Sequence, residues 1–124
     1  MVKINQRPIK KYSKVSIIIP HLKGFEILDE CVGSIYEGIN DNHEVIIVDN
    51  NSIDGSIDRI KEKFSDIKII QSDINLGYAG GCNLGAQNAS NELLLFLNND
   101  TTQKLGWIDY LVEAINKDDK IGIV

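Results

Sequence analysis

Residues 44–52 read EVIIVDNNS, an apolar run that ends abruptly in polar residues. The consecutive aliphatic residues from Val45 to Val48 predict a strand that is buried on both faces of a sheet. Polar residues follow the strand at once, from Asp49 to Ser52. A short buried strand of this kind is typical of a parallel sheet, so the rest of the chain should supply similar strands and the helices that connect them.

The other strands are visible as apolar runs at 15–20, 67–70 and 92–97. The run at 67–70 contains a lysine and is predicted to lie nearer the edge of the sheet. Residues 121–124 are predicted to begin a further strand.

Amphipathic stretches separate these runs and predict four helices. They cover Glu26–Asn40, the segment with Ile57, Ile60 and Phe64, the segment Leu84–Ala89 after a glycine-rich turn, and a segment with Trp107, Ile108, Leu111, Val112 and Ile115. The chain is therefore predicted to have an α/β fold with a doubly wound, mostly parallel sheet, similar to the Rossmann arrangement.

Composition restricts the class of protein and of partner. The chain has 124 residues and a formal net charge of -5, with 18 acidic and 13 basic side chains. An acidic domain repels phosphate backbones, so no nucleic-acid partner is expected. Cys31 and Cys82 lack the spacing of a zinc site and are predicted to be reduced thiols in the core.

The ends of the chain carry two further predictions. Residues 1–13 are predicted to be a basic N-terminal arm and residues 14–124 the folded domain. No apolar run approaches the roughly 20 residues that span a bilayer, and no signal peptide is visible. A cytoplasmic location is therefore expected, with the inner face of the membrane as an option for a longer parent protein.

Polar residues follow three of the predicted strands directly. They are Pro20-His21, then residues 49–52, and then residues 98–101, which read NNDT. Parallel sheets bind ligands at the carboxyl ends of their strands, so these clusters are predicted to form one site.

Four blocks of the sequence resemble the family 2 glycosyltransferases. The blocks are VSIIIP at 15–20, VDNNSIDGS at 48–56, NLGYAGGCNLG at 75–85 and FLNNDT at 96–101. They stand in the order and spacing of that family, and the NNDT block resembles its rhamnosyltransferase-like branch. The resemblance implies a GT-A fold, a nucleoside diphosphate sugar as sugar donor, a divalent metal ion, and transfer with inversion.

The resemblance implies that the second strand ends in a nucleobase-binding site. Asp49 would accept a hydrogen bond from the imide of the base, with Asn51 nearby. A carboxylate only accepts, which favours UDP-, dTDP- or GDP-linked sugars over adenine nucleotides. The alternative is that Asp49 caps its own turn.

The NNDT block occupies the place of the family's DxD motif. Asp100 is its only carboxylate and is the predicted ligand of Mg²⁺ or Mn²⁺, which would bridge the two phosphates. Asn98 is predicted to lie near the nucleotide. Since many relatives have two carboxylates here, weak metal affinity without nucleotide is expected. A simple turn after the strand is the alternative.

Three other positions are assigned to the nucleotide or the sugar by the same resemblance. Gly80, Gly81 and Asn83 lie in the glycine-rich block, where close helix–sheet packing is an equal alternative. Pro20 corresponds to a proline beside the nucleobase. His21 replaces the residues usual in the family and is a candidate contact of the base or ribose.

The family's catalytic base and acceptor site would lie beyond residue 124. The chain is therefore interpreted as the sugar-donor-binding part of a transferase, inactive alone, whose saccharide or lipid-linked acceptor binds elsewhere. The sheet edge and apolar face expected of such a part predict homodimerisation or aggregation. The alternatives are a non-catalytic nucleotide-sugar sensor or scaffold, a nucleotidyltransferase, and a flavodoxin-like fold.

Overall fold

A computed structural model describes residues 11–40 and 42–124. Strands and helices alternate along the chain, as β1 (Val15–His21), α1 (Phe25–Gly38), β2 (Glu44–Asp49), α2 (Ser56–Lys63), β3 (Lys68–Gln71), α3 (Gly77–Gln87), β4 (Leu93–Phe96) and α4 (Trp107–Ile115). The strands form one sheet in the order β3-β2-β1-β4, and every pair is parallel. The predicted α/β fold with a parallel sheet is confirmed.

The two central strands are buried because helices cover both faces of the sheet. All seven residues of β1 are buried. On one face, Ile17, Ile19 and Ile47 pack with residues of α1, α2 and α4. On the other face, Ile18 and the β2 residues near it pack against Leu84 and Ala86 of α3 and against Ala89, which follows that helix. The aliphatic runs in the sequence therefore reflect burial on two sides.

The strand order places a switch point beside β1. The chain passes from β1 to β2 and β3 on one side, and then returns to the other side as β4. Connections leave in opposite directions at such a point, which opens a crevice at the carboxyl ends of the strands. His21 ends β1 and lies beside Asp49 at the end of β2.

Helix α3 differs from its predicted position. It begins at Gly77, before the predicted start at Leu84, and ends at Gln87. The glycine-rich block is thus mostly helix rather than turn. Glycine disfavours helix, but Gly81 and Gly85 are buried here, so close packing on the sheet outweighs that cost.

Two other boundaries are corrected. Helix α1 ends at Gly38 rather than Asn40. The predicted strand at 121–124 is wrong, because these residues have no regular structure and Ile123 is 91% exposed. A strand needs a backbone partner, and none of the described strands pairs with this segment.

The prediction for the N-terminal arm lies mostly outside the described residues. Of that arm only residues 11–13 are described. The backbone of Tyr12 exchanges two hydrogen bonds of 2.8 Å with the side-chain amide of Asn116, which follows α4. The start of the domain is thereby tied to its last helix.

The thiols agree with the sequence-based expectation. Cys31 and Cys82 are both buried and free. Trp107 packs against the main core, as predicted from its place on the apolar stripe of α4. Within the described ranges, no helix is long and apolar enough to cross a membrane.

Candidate functional site

Asp49 is the buried carboxylate at the end of β2. It is 3% exposed, and its Oδ1 accepts a hydrogen bond of 2.8 Å from the backbone N–H of Ser52. This contact is the turn cap that the sequence allowed as an alternative. It uses one carboxylate oxygen, which leaves Oδ2 to accept a bond from a ligand.

A surface depression opens directly beside Asp49. It is lined by the turn after β2, the first turns of α2 and the ends of the edge strand, namely Asp49, Ser52, Ile53, Gly55, Ile57, Asp58, Lys61, Ile69 and Gln71. Its walls offer both apolar side chains and hydrogen-bonding groups. A flat ring with polar edges, such as a nucleobase, needs that combination.

The two asparagines after Asp49 have different roles. Asn51 adopts a positive φ of 62° and is exposed on the turn. Asn50 is buried, and its side chain accepts from the backbone N–H of Leu76 at 3.2 Å and donates to the carbonyl of Gly77 at 3.1 Å. Asn50 therefore fixes the start of α3 on the end of β2.

His21 is buried at the end of β1 and is 1% exposed. Both ring nitrogens are engaged: Nε2 lies 2.7 Å from Oγ of Ser56, and Nδ1 lies 3.0 Å from Nδ2 of Asn99. Burial lowers the pKa of His21, although the charges of Asp54 and Asp49 oppose this. The ring is therefore neutral at neutral pH.

Ser56 connects His21 to a carboxylate. Its hydroxyl donates to Oδ1 of Asp54 at 2.5 Å, and Oδ2 of the same carboxylate accepts from the backbone N–H of Gly24 at 2.7 Å. Hydrogen bonds from Ser56 and Gly24 hold the pKa of Asp54 at about 2. The loops after β1 and β2 are thus joined by an ionised side chain.

The segment after β4 reaches the same crevice. Thr101 Oγ1 donates to the carbonyl of Asn98 at 2.9 Å, and the thiol of Cys31 lies 3.6 Å from that carbonyl. Asn99 points inward to His21, whereas the side chains of Asn98 and Asp100 are exposed. The alternation directs two of the three polar residues to solvent.

The residues present supply only part of a metal site. In the described ranges, no group of three or more His, Cys, Asp and Glu side chains is placed to hold a metal ion. Asp100 is a single exposed carboxylate, so it fits one position around Mg²⁺ or Mn²⁺. Phosphate oxygens would have to supply other positions, as is usual for Mg²⁺.

The glycines of α3 are chiefly packing residues. A Cβ atom at Gly81 would lie 3.0 Å from Cβ of Pro20 and 3.2 Å from Nδ2 of Asn50. A Cβ atom at Gly80 would meet Leu76 of its own segment at 2.8 Å. Asn83 is exposed on the same helix. Close packing of α3 on the strand ends, one of the two predicted interpretations, is therefore observed at Gly81.

The strand ends bring four of the nine predicted site residues together. Pro20, His21 and Asp49 lie side by side, Gly81 packs on Pro20, and Asn99 links His21 to the segment with Asp100. Five residues of this region were not among the predicted site residues: Asn50, Asp54, Ser56, Gln71 and Asn99. For the first three, the available signal was the polar run at 49–56, in which several side chains can bridge neighbouring loops.

Residues 16–124 match the protein family described as Glycosyl transferase family 2. The match covers both the sheet and the crevice at its carboxyl ends. The chain belongs to glycosyltransferase family 2. The resemblance stated from the four sequence blocks is confirmed, while the rhamnosyltransferase-like branch is not specifically supported.

Curated relatives of this glycosyltransferase domain are much longer. An uncharacterized glycosyltransferase from Haemophilus influenzae is 28% identical over 86% of this chain, which spans 34% of that protein. O-antigen biosynthesis protein RfbC from Myxococcus xanthus is 33% identical over 89% of this chain, which spans 9% of it.

Solved structures share the GT-A fold of this family 2 domain. The structure of TarS residues 1–349 from S. aureus in complex with UDP-GlcNAc is 23% identical, with a TM-score of 0.76 over 85% of this chain and 32% of that one. GalNAc-T7, solved with UDP, GalNAc and Mn²⁺, is 22% identical, with a TM-score of 0.75 over 85% of this chain and 21% of that one. These likenesses establish the fold.

Proposed function

We propose that the chain binds a nucleoside diphosphate sugar at the carboxyl ends of its strands, as the sugar-donor-binding part of an inverting glycosyltransferase. The observation that carries the proposal is the buried Asp49 with one carboxylate oxygen uncommitted, at the edge of a depression lined by Ile57, Ile69 and Gln71. Among the described residues, Oδ2 of Asp49 is not one of the buried side-chain atoms that lack a hydrogen-bond partner, so it is accessible to a donor group of a ligand.

In this proposal the nucleobase lies in the depression beside Asp49. The imide N–H of uracil, thymine or guanine donates to Oδ2, and Ile57 and Ile69 pack on the ring. Asp58 and Lys61 line the same depression, so the positive charge of Lys61 is offset by a neighbouring carboxylate. We assign Asn51 to the ribose side of the site because it is exposed on the adjoining turn.

The diphosphate is proposed to lie toward the segment after β4. Asp100 would hold Mg²⁺ or Mn²⁺, which stabilises the negative charge of the leaving diphosphate. Asn98 is proposed to contact the ribose or base, and Pro20 and His21 form the floor under the nucleotide. Gly80, Gly81 and Asn83 are proposed to line the path of the sugar along α3.

The acceptor and the catalytic base are proposed to belong to a further part of a longer protein. Relatives are several times longer than this chain, and one of them is an O-antigen biosynthesis protein. We propose a saccharide or lipid-linked acceptor, a base supplied outside residues 1–124, and no transfer by this chain alone.

The two free buried thiols support a cytoplasmic location, because reduced cysteines are usual there. The apolar groove beside β4, lined partly by Leu93, Leu95 and Trp107, supports an interface with either a second copy or another part of a longer protein. In both cases the groove lies on the flank of the sheet, apart from the depression next to Asp49.

Calorimetric titration of UDP, dTDP and GDP, with and without Mn²⁺, tests the proposal. We expect one of the three to bind, with an affinity that rises by about 10-fold or more with Mn²⁺, equal to ~1.4 kcal/mol. The Asp100→Ala variant should bind the nucleotide but lose the Mn²⁺ effect. The charge-matched control is Glu113→Ala on the exposed face of α4.

Each result separates the alternatives. An Asp100→Ala variant that keeps the full Mn²⁺ effect would contradict the metal assignment. Failure of all three nucleotides to bind the wild-type chain would contradict the proposed function and favour a scaffold role.

A further inference from the structure

A chain of hydrogen bonds whose central residues, His21 and Ser56, are buried joins three loops at the switch point of the sheet. It runs from Asp54 through Ser56 to His21, and from there to Asn99. The family resemblance assigned no such role to Asp54, Ser56 or Asn99. The chain of bonds ends one residue before Asp100, the proposed metal ligand.

Proton counting fixes the direction of every bond. Asp54 is ionised, because hydrogen bonds from Ser56 and Gly24 hold its pKa at about 2, and a carboxylate only accepts. The single hydroxyl proton of Ser56 must therefore lie on the 2.5 Å bond to Asp54. Ser56 then has no proton left to offer His21.

The tautomer of the histidine follows from this. Because Oγ of Ser56 can only accept from the ring, Nε2 of His21 carries the proton across the 2.7 Å contact. Nδ1 of the neutral ring is then an acceptor. The 3.0 Å contact with Asn99 must be made by the amide NH₂ rather than by the amide oxygen.

We propose that His21 is a positioning residue for the nucleotide site, which fixes the side-chain amide of Asn99 and so the segment that carries Asp100. This inference rests on the proposed function for its effect on nucleotide binding. The hydrogen bonds themselves lie within the protein and do not depend on a ligand. His21 and Ser56 are buried, so the hydrogen bond between them is shielded from water. Replacing either hydrogen-bond partner is therefore costly.

The position of His21 between two loops explains why a histidine is suited to this place. Its ring lies between a loop on the β2 side of β1 and a loop on the β4 side, and it offers one donor and one acceptor in opposite directions. A neutral imidazole is the side chain that presents such a pair on a rigid ring. The orientation of the segment after β4 is thereby set by a carboxylate in the loop after β2.

Long-range ¹H–¹⁵N NMR of the imidazole nitrogens at neutral pH tests the proposal directly. The wild-type chain should show His21 as the Nε2–H tautomer, with His43→Gln used to assign the two histidines. A wild-type ring protonated on Nδ1 would overturn the proposal, and this result needs no variant at His21.

The Asp54→Ala variant tests whether the carboxylate of Asp54 fixes the tautomer of His21. Without the carboxylate, the hydroxyl of Ser56 is free to donate to His21, so we expect a mixture of tautomers and shifted amide signals of Asn99 and Asp100. Asp54 is exposed, so the substitution leaves the core intact. The charge-matched control is Glu62→Ala on α2, which should leave the tautomer unchanged.

Binding measurements separate this inference from the proposed function. We expect Asp54→Ala to reduce the Mn²⁺ enhancement of UDP affinity by about 3- to 10-fold, a coupling typical of residues that act through a network. If Asp54→Ala loses the Nε2–H tautomer of His21 but keeps the full Mn²⁺ enhancement of UDP affinity, the positioning role is overturned. Failure of UDP, dTDP and GDP alike to bind the wild type would contradict the proposed function, while the NMR result would still decide the tautomer.

Discussion

Replacing Asp49 with asparagine is expected to lower the affinity of the chain for UDP by about 10- to 100-fold, which corresponds to ~1.5–3 kcal/mol for a hydrogen bond to a charged group. Asparagine has nearly the same shape, and its Oδ1 still accepts the bond from Ser52. Its NH₂ group then takes the place of Oδ2 and faces the imide N–H of the base. Two donors oppose each other, so recognition fails while the turn is kept.

The same substitution should improve the binding of CDP. Cytosine has an acceptor at the ring position where uracil has its imide N–H, so it pairs with the NH₂ of asparagine and not with a carboxylate. Titration of UDP and CDP into wild type and Asp49→Asn measures this reversal. Equal changes in affinity for both nucleotides in the folded variant would contradict the role of Asp49 in recognising the base.

Gly85→Ala is expected to destabilise the fold by about 1–3 kcal/mol, the usual cost of overpacking a core. Gly85 is buried in α3, where a Cβ atom would lie 3.0 Å from Cγ2 of Val48 and closer still to Cγ2 of Ile18. Both neighbours are β-branched residues of the central strands, which cannot move without disturbing the sheet. The helix must therefore shift away from the strand ends.

Gly33→Ala is the matched control for that result. Gly33 is also within a helix, but a Cβ atom there would meet nothing within 4 Å. Alanine should therefore raise the free energy of unfolding by about 0.5–1 kcal/mol, since glycine is the poorer helix former. Chemical denaturation of both variants measures the difference. Equal effects of the two substitutions would contradict the packing account of α3.

The fold could be predicted from the sequence because buried strands and helices leave recognisable patterns of apolar residues. The aliphatic runs of β1 and β2 identified the central strands, and the lysine in β3 correctly placed that strand toward the edge. Helix α3 was misplaced because its glycines look like a turn in the sequence. Only the contact of Gly81 and Gly85 with the strands shows why glycines stand in a helix.

The site was predicted in part. Asp49 and the NNDT segment follow strands directly, so the rule for strand ends located them without a structure. The roles of Ser56 and Asn99 depend on their contacts with His21, from which they are separated by 35 and 78 positions in the sequence. No periodic pattern in the sequence marks such contacts. The predicted strand at 121–124 failed because apolar residues alone do not supply a pairing partner.

We expect the ligand site to lie at the carboxyl ends of the strands. Amide chemical-shift mapping with UDP and Mg²⁺ measures its position. The perturbed amides should cluster at residues 49–52, at Gln71 and at residues 98–100. Perturbations confined to the groove between β4 and α4, with the amides around Asp49 unchanged, would contradict this expectation.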